Sequence, residues 1–241
     1  MYEKLANCYD AFMKDVPYEQ WIDYVARILD DRKNGLDVGC GTGKFTVGLI
    51  KRGFSTVGSD VSVEMLEKAN QYALSEGIKA TFVNQSATSL TLARPVDFIT
   101  ACCDVVNYIK NPKTFFARAY KFLKEGGVLT FDISSEYKLR TVLANNVFTD
   151  SNEDVTYVWE NVLNKNSVDI CLTFFTKQPN NYYARSVETQ TQFIHTTDDI
   201  ITALEDVGFT DVKTYGFLSD VAPSAREERV QFVAYKKEKN G

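Results

Sequence analysis

The chain has 241 residues, 44% of them hydrophobic, with a formal net charge of −5, five cysteines and one histidine. That length and apolar content suit one α/β domain with an elaboration and exclude a chain too polar to bury a core. An odd cysteine count with no C-x-x-C pair and a single histidine exclude a disulfide framework and a zinc site, and the acidic balance argues against nucleic acid, whose phosphates need clustered Lys and Arg.

Residues 1–10, M-Y-E-K-L-A-N-C-Y-D, carry charges and no apolar run, and no apolar stretch approaches a membrane span. The expectation is a cytoplasmic protein with reduced, buried thiols and no membrane partner. Nothing in the sequence fixes an oligomeric state.

From Tyr2 to Asp30 apolar and aromatic residues recur at helical spacing: Leu5, Tyr9, Phe12 and Met13, then Trp21, Tyr24, Val25, Ile28 and Leu29. Pro17 separates two helices. Trp21 reads as packing, the usual fate of a buried aromatic.

Leu36, Asp37 and Val38 then form a short buried strand, Gly39, Gly41 and Gly43 a tight turn, and Lys44 to Arg52 a helix. Glycine suits such a turn because the backbone must bend sharply and let a ligand lie against it, and the helix start offers unpaired N–H groups. The spacing limits the ligand. A dinucleotide fingerprint needs glycine where Lys44 stands, and a P-loop needs glycine where Val38 stands. After the next strand comes Asp60, nineteen positions beyond Gly41, near the distance at which such sheets place a carboxylate on a ribose hydroxyl pair.

The run D-x-G-x-G-x-G from Asp37 to Gly43, with Asp60-Val61-Ser62-x-x-Met65-Leu66 after it, resembles the class I S-adenosylmethionine-dependent methyltransferases. The resemblance spans nearly the whole chain, although its specific motifs lie between residues 36 and 66. It implies adenosylmethionine as cofactor, held by Tyr18, Asp37, Gly39, Cys40, Gly41, Gly43, Asp60, Val61, Met65, Gln85, Ser86 and Cys102. In the family, a tyrosine from the N-terminal segment closes over the cofactor, and Tyr9 and Tyr18 are the candidates. An Asp commonly follows the third strand to hold the adenine amino group. Here Ser86 stands in its place, leaving backbone groups of Gln85 and Ser86 to read the adenine edge.

Further along, Val63 to Glu76 reads as a helix stopped by Gly77, Thr81 to Val83 as a strand, and Val96 to Cys103 as a strand buried on both faces. The last runs into Asp104 and Asn107 at the end of the sheet where open α/β folds bind ligands. Asp104 reads equally as a helix cap. Pro112 to Lys124 is an amphipathic helix, and Val128 to Ile133 the fifth strand.

After Ser134 about sixty residues intervene before the next sheet-type helix, too many for a structureless loop. Tyr157 to Leu163, Val168 to Lys177 and Tyr183 to Ile194 alternate as antiparallel strands, with turns at 164–166 and 179–181. Thr197 to Val207 is a helix, and Thr210 to Phe217 with Arg229 to Lys236 complete a seven-stranded, mostly parallel sheet. The expected division is a cofactor-binding domain at 1–134 and 196–241, with an inserted antiparallel β lid for the acceptor at 135–195.

The expected reaction is in-line methyl transfer to a small polar acceptor. Tyr9, Asp104 and Asn107 are its candidate contacts, with Trp159, Glu188, Gln190 and His195 in reserve; His195 weighs more as a cap or surface group than as a base. No catalytic residue is assigned, because an activated sulfonium needs orientation more than acid–base help. Two patterns of nucleic-acid methyltransferases are missing, an Asn/Asp/Ser-Pro-Pro-aromatic tetrad and a Cys-Pro pair. The alternatives are an adenosylmethionine-binding regulatory module without transferase activity and an RNA methyltransferase.

Overall fold

In the computed structural model residues 16–238 are described. The expected first helix and Tyr9 lie outside them. Helix α1 (Tyr18–Leu29) starts directly after Pro17 and buries Trp21, Ile22, Val25 and Leu29 along one stripe. Strand β1 (Asn34–Val38) leads through the glycine turn into α2 (Lys44–Lys51), β2 (Ser55–Asp60) into α3 (Val63–Ser75), and β3 (Thr81–Asn84) through a short turn to β4 (Val96–Ala101). Ser62 caps α3, its hydroxyl accepting the Met65 N–H at 3.2 Å. Helix α4 (Pro112–Phe122) precedes β5 (Leu123–Ser134). The chain closes with α5 (Thr197–Val207), β10 (Phe209–Gly216) and β11 (Arg229–Lys236).

The main sheet has the order β10-β11-β5-β4-β1-β2-β3, with β11 antiparallel to both neighbours. Alternation along the strands sends side chains to two cores. Ile99, Leu129 and Phe232 face Phe115, Phe116 and Leu204 of α4 and α5, while Phe98, Val128 and Val233 face Trp21, Phe45 and Leu49 of α1 and α2. Strand order reverses between β1 and β4, so the loops after these strands diverge and leave a crevice at their carboxyl ends.

The expected seven-stranded sheet is present, and so is a separate antiparallel one. Strands β6 (Val147–Ser151), β7 (Val155–Leu163), β8 (Ser167–Lys177) and β9 (Tyr183–Phe193) form it in sequence order. One face packs Val168, Ile170, Leu172 and Phe174 against Leu139, Leu143 and Met65, so α3 shares a core with the small sheet.

Several boundaries differ from the sequence reading. Strand β4 ends at Ala101 rather than Cys103, because Cys103 and Asp104 turn into left-handed backbone at φ 65° and 53°. Helix α4 ends at Phe122, and Leu123 already pairs with Val96 of β4. Strand β6 and the π-helical turn Lys138–Leu143 were not anticipated. Among the described residues no helix is long and apolar enough to cross a membrane.

Candidate functional site

The glycine turn bends as the sequence requires: Gly39, Gly41 and Gly43 have φ of 66°, 53° and 83°. They differ in what surrounds them. A Cβ on Gly39 would sit 2.5 Å from Val105, and one on Gly43 would sit 2.9 Å from Ala69, so both admit neighbouring chain closely. At Gly41 nothing lies within 4 Å, and the missing side chain faces open space.

That space is a cleft of about 450 Å³. Gly39 and Gly41 line it after β1, Asp60 and Val61 after β2, Gln85 and Ser86 after β3, and Cys103 and Asp104 after β4. Met65 lines it from α3, and Trp159, Ile170, Leu172, Gln190 and Gln192 close it from the small sheet. A smaller hollow opens on the other side of the turn, lined by Tyr18, Asp37, Cys40, Cys102 and the same two glycines.

Asp60 is tied to the turn. Its Oδ2 accepts the Gly41 N–H and its Oδ1 the Ser62 N–H, each at 2.9 Å. A carboxylate has about four acceptor sites, so these two bonds do not exhaust it. Burial raises its pKa above the ordinary value, while the bonds from Ser62 and Gly41 act in the opposite direction. Asp37 is more deeply enclosed. Thr46 and Thr100 donate to its two oxygens at 2.7 and 2.8 Å, yet burial outweighs them and pushes its pKa up to about 6.

Across the cleft a polar chain runs from the small sheet to the main one. The Tyr108 hydroxyl donates to Gln190 at 2.9 Å, and the Gln192 amide donates to the Tyr108 oxygen at 3.1 Å and to Asp104 at 2.5 Å. Asp104 faces Arg229 at 3.4 Å, and Arg229 pairs with the fully buried Asp132. Trp21 stacks on that guanidinium, 4.9 Å from its ring centroid, in keeping with its packing role. Burial alone would lower the Arg229 pKa, but Asp132 and Asp104 outweigh it and hold it raised. Asp132 also accepts the N–H groups of Cys103 and Asp104 at 2.8 and 2.9 Å, a concavity of successive left-handed residues closed on a carboxylate.

Two expected site residues stand elsewhere. Asn107 is fully buried: its amide donates to Ser134 O and Phe193 O, both at 3.1 Å, and accepts the Ser134 N–H at 2.8 Å. It joins the point where the chain leaves for the small sheet to the point where it returns, rather than facing a ligand. Gly43 lines neither space and serves as the left-handed start of α2. His195 lies in a separate surface hollow, its Nε2 3.1 Å from Ile109 O, with its pKa lowered by burial. The sequence reading missed Tyr108, Lys138, Gln192 and Arg229. Gln192 had a signal, because Glu188, Gln190 and Gln192 are polar at every second position of β9, on its buried face.

Comparison with known proteins places this geometry. The methyltransferase domain family matches residues 36–127. A protein of Geobacillus sp. (strain WCH70) described as a methyltransferase is 35% identical, over 98% of this chain and 99% of its own. The structure of an S-adenosylmethionine-dependent methyltransferase from Clostridium acetobutylicum ATCC 824 superposes with a TM-score of 0.88 at 31% identity, covering 98% of this chain and 99% of that one. The chain belongs to the class I S-adenosylmethionine-dependent methyltransferases. The methyltransferase shares its fold with the sugar N-methyltransferase KedS8 of Streptoalloteichus sp. ATCC 53650, at a TM-score of 0.80 and 18% identity over 95% of this chain and 93% of that one. Adenosylmethionine is therefore its cofactor, and the enzyme reading stands over that of a regulatory module.

Proposed function

We propose that this methyltransferase transfers the methyl group by in-line displacement to a small polar acceptor, enclosed between the carboxyl ends of the main strands and the small sheet. The observation that carries the reading is the single cleft that Gly41 and Asp60 line on one side and Trp159, Gln190 and Gln192 on the other. Such a space suits one cofactor and one small acceptor, not a polymer. KedS8, which has the same fold, is a sugar N-methyltransferase.

The residues fit the cofactor. Gly41 leaves open space where a nucleoside can lie on the backbone, and Asp60 keeps acceptor capacity for a ribose hydroxyl pair. Val61 and Met65 offer apolar contact to a base, and Gln85 and Ser86 stand beside them. The hollow at Tyr18, Asp37, Cys40 and Cys102 suits an amino-acid tail, whose ammonium would offset the cost of ionising buried Asp37. Bound there, adenosylmethionine supplies an activated methyl group. The protein's part is to exclude water and orient the acceptor, an effect worth roughly 7–11 kcal/mol of barrier. Residues 135–195 act as the acceptor lid, and Asp104 with the Tyr108–Gln192 pair forms its polar floor. The four cysteines among the described residues are free thiols, consistent with work in a reducing cytoplasm.

Calorimetry with adenosylmethionine and adenosylhomocysteine tests the cofactor site, and affinities weaker than about 1 mM, near 4 kcal/mol, would overturn it. Adenosylhomocysteine release across amines, hydroxy compounds and thiols tests the acceptor reading. Transfer to bulk RNA that weakens steeply with salt would replace it.

A further inference from the structure

Four charged side chains line the cleft: Asp60, Asp104, Lys138 and Arg229. Three are already engaged. Asp60 holds two backbone N–H groups, Asp104 takes the Gln192 amide and faces Arg229, and Arg229 is bound to Asp132 and stacked on Trp21. Lys138 differs. Its backbone N–H donates to Ser135 Oγ at 3.0 Å, but no ion pair or hydrogen bond joins its ammonium to any described residue.

Its backbone is anchored nonetheless. Lys138 opens the π-helical turn whose next residue, Leu139, is fully buried, so the stem of the lysine starts from a held point on the wall of the cleft. Burial first, and then neighbouring Arg229, lower the lysine's pKa from its ordinary value; the charges of Asp104, Glu228 and Asp132 act in the opposite direction without reversing it, and none of them makes an ion pair with the ammonium. A cation half-withdrawn from water is stabilised by an anion brought to it. The wall it shares is apolar at Trp159, Ile170 and Leu172. The smaller hollow, suited to the amino-acid tail of the cofactor, does not include it.

We propose that the acceptor of this methyltransferase is a small molecule bearing an acid group, carboxylate or phosphate, which docks on Lys138 while its body lies against Trp159, Ile170 and Leu172. This rests on the reading of the cleft as the acceptor site, and makes Lys138 a determinant of specificity rather than of methyl transfer itself.

Three probes with one ring separate the chemistries: benzoate, phenyl phosphate and neutral benzamide, each titrated by calorimetry into the enzyme saturated with adenosylhomocysteine. At least one acid should bind about tenfold more tightly than benzamide, a difference of about 1.4 kcal/mol, and the stronger acid identifies carboxylate or phosphate. In Lys138→Met the preference should vanish, and in Lys138→Arg it should return, with adenosylhomocysteine affinity unchanged in both. Lys138→Gln replaces the methionine variant if that fails to fold. Benzamide binding as tightly as the acids, no binding of any probe, or a preference that survives in Lys138→Met overturns the proposal. So does a tenfold loss of adenosylhomocysteine affinity in Lys138→Met, which would assign the lysine to the carboxylate of the cofactor. Failure of the parent enzyme to bind adenosylhomocysteine would instead sink the cofactor reading beneath it.

Discussion

The carboxylate of Asp60 accepts the backbone N–H of Gly41 at 2.9 Å, joining the end of β2 to the glycine turn after β1. The same group thus fixes the turn and, in the proposed reading, keeps acceptor capacity for the ribose hydroxyls. Asp60→Ala should weaken adenosylmethionine binding at least tenfold, since charge-assisted hydrogen bonds are worth roughly 1.5–3 kcal/mol each. It should also lower stability by about 1–2 kcal/mol, because the Gly41 and Ser62 N–H groups lose their acceptor. Calorimetry and denaturant titration read the two effects, and affinity equal to the parent's would sink the ribose assignment.

How far that pairing was legible follows from what kind of interaction it is. The glycine spacing and the acid nineteen positions later are local in sequence, and Gly39, Gly41, Asp60, Val61, Met65, Gln85 and Ser86 do converge on one cleft. The parallel strands were legible as apolar runs, and three of the four antiparallel ones as alternation. Strand β6, with only Phe148 part-buried, had no hydrophobic pattern to show. Arg229 was invisible because its partners stand 97 and 125 positions away, and nothing local marks a charge that will be buried. Asn107 misled for the opposite reason: its place after β4 pointed to the cleft, and only the folded chain shows its amide spent on Ser134 and Phe193.

Asp37 makes stability depend on pH in a definite direction. Its folded-state pKa of about 6 lies above the model-peptide value near 3.9. The folded protein therefore binds more protons in that interval, and the Asp37 contribution is full below about pH 4 and lost as pH rises to about 6. A shift of about two units corresponds to roughly 3 kcal/mol. Asp37→Asn should remove this component, raise the Tm of the ligand-free enzyme at pH 8 and weaken adenosylmethionine binding. Unchanged pH dependence of Tm between pH 4 and 6 in the variant would refute the assignment.

Asn107 clasps the root of the small sheet. Asn107→Ala leaves the Ser134 N–H without its acceptor and the Ser134 and Phe193 carbonyls without their donor, in a fully buried place. A loss of roughly 2–4 kcal/mol is expected. Amide hydrogen exchange should rise across residues 147–193 far more than in the strands around Asp60, and cofactor affinity should hold. Uniform exchange over both sheets would show that Asn107 supports the fold at large and not the insertion.

Asp132 joins the most constrained backbone of the cleft to its most deeply held charge. It accepts the N–H groups of Cys103 and Asp104, two left-handed residues that are not glycine, and it pairs with Arg229. Burial raises its pKa and the Arg229 guanidinium opposes that rise, so the carboxylate and the cation justify each other. Removing one partner leaves the other charged and uncompensated. Asp132→Asn should therefore cost about 3–5 kcal/mol, with acceptor KM rising more than adenosylmethionine Kd, because Asp104 and its bond to Gln192 move while Asp60 does not. Arg229→Met in the same chain removes the stranded cation, and the double variant should recover at least about 1 kcal/mol relative to the sum of the single changes. Additive losses would mean that Asp132 acts through the two backbone N–H groups alone, and that the buried charge pair contributes nothing to holding the floor of the cleft.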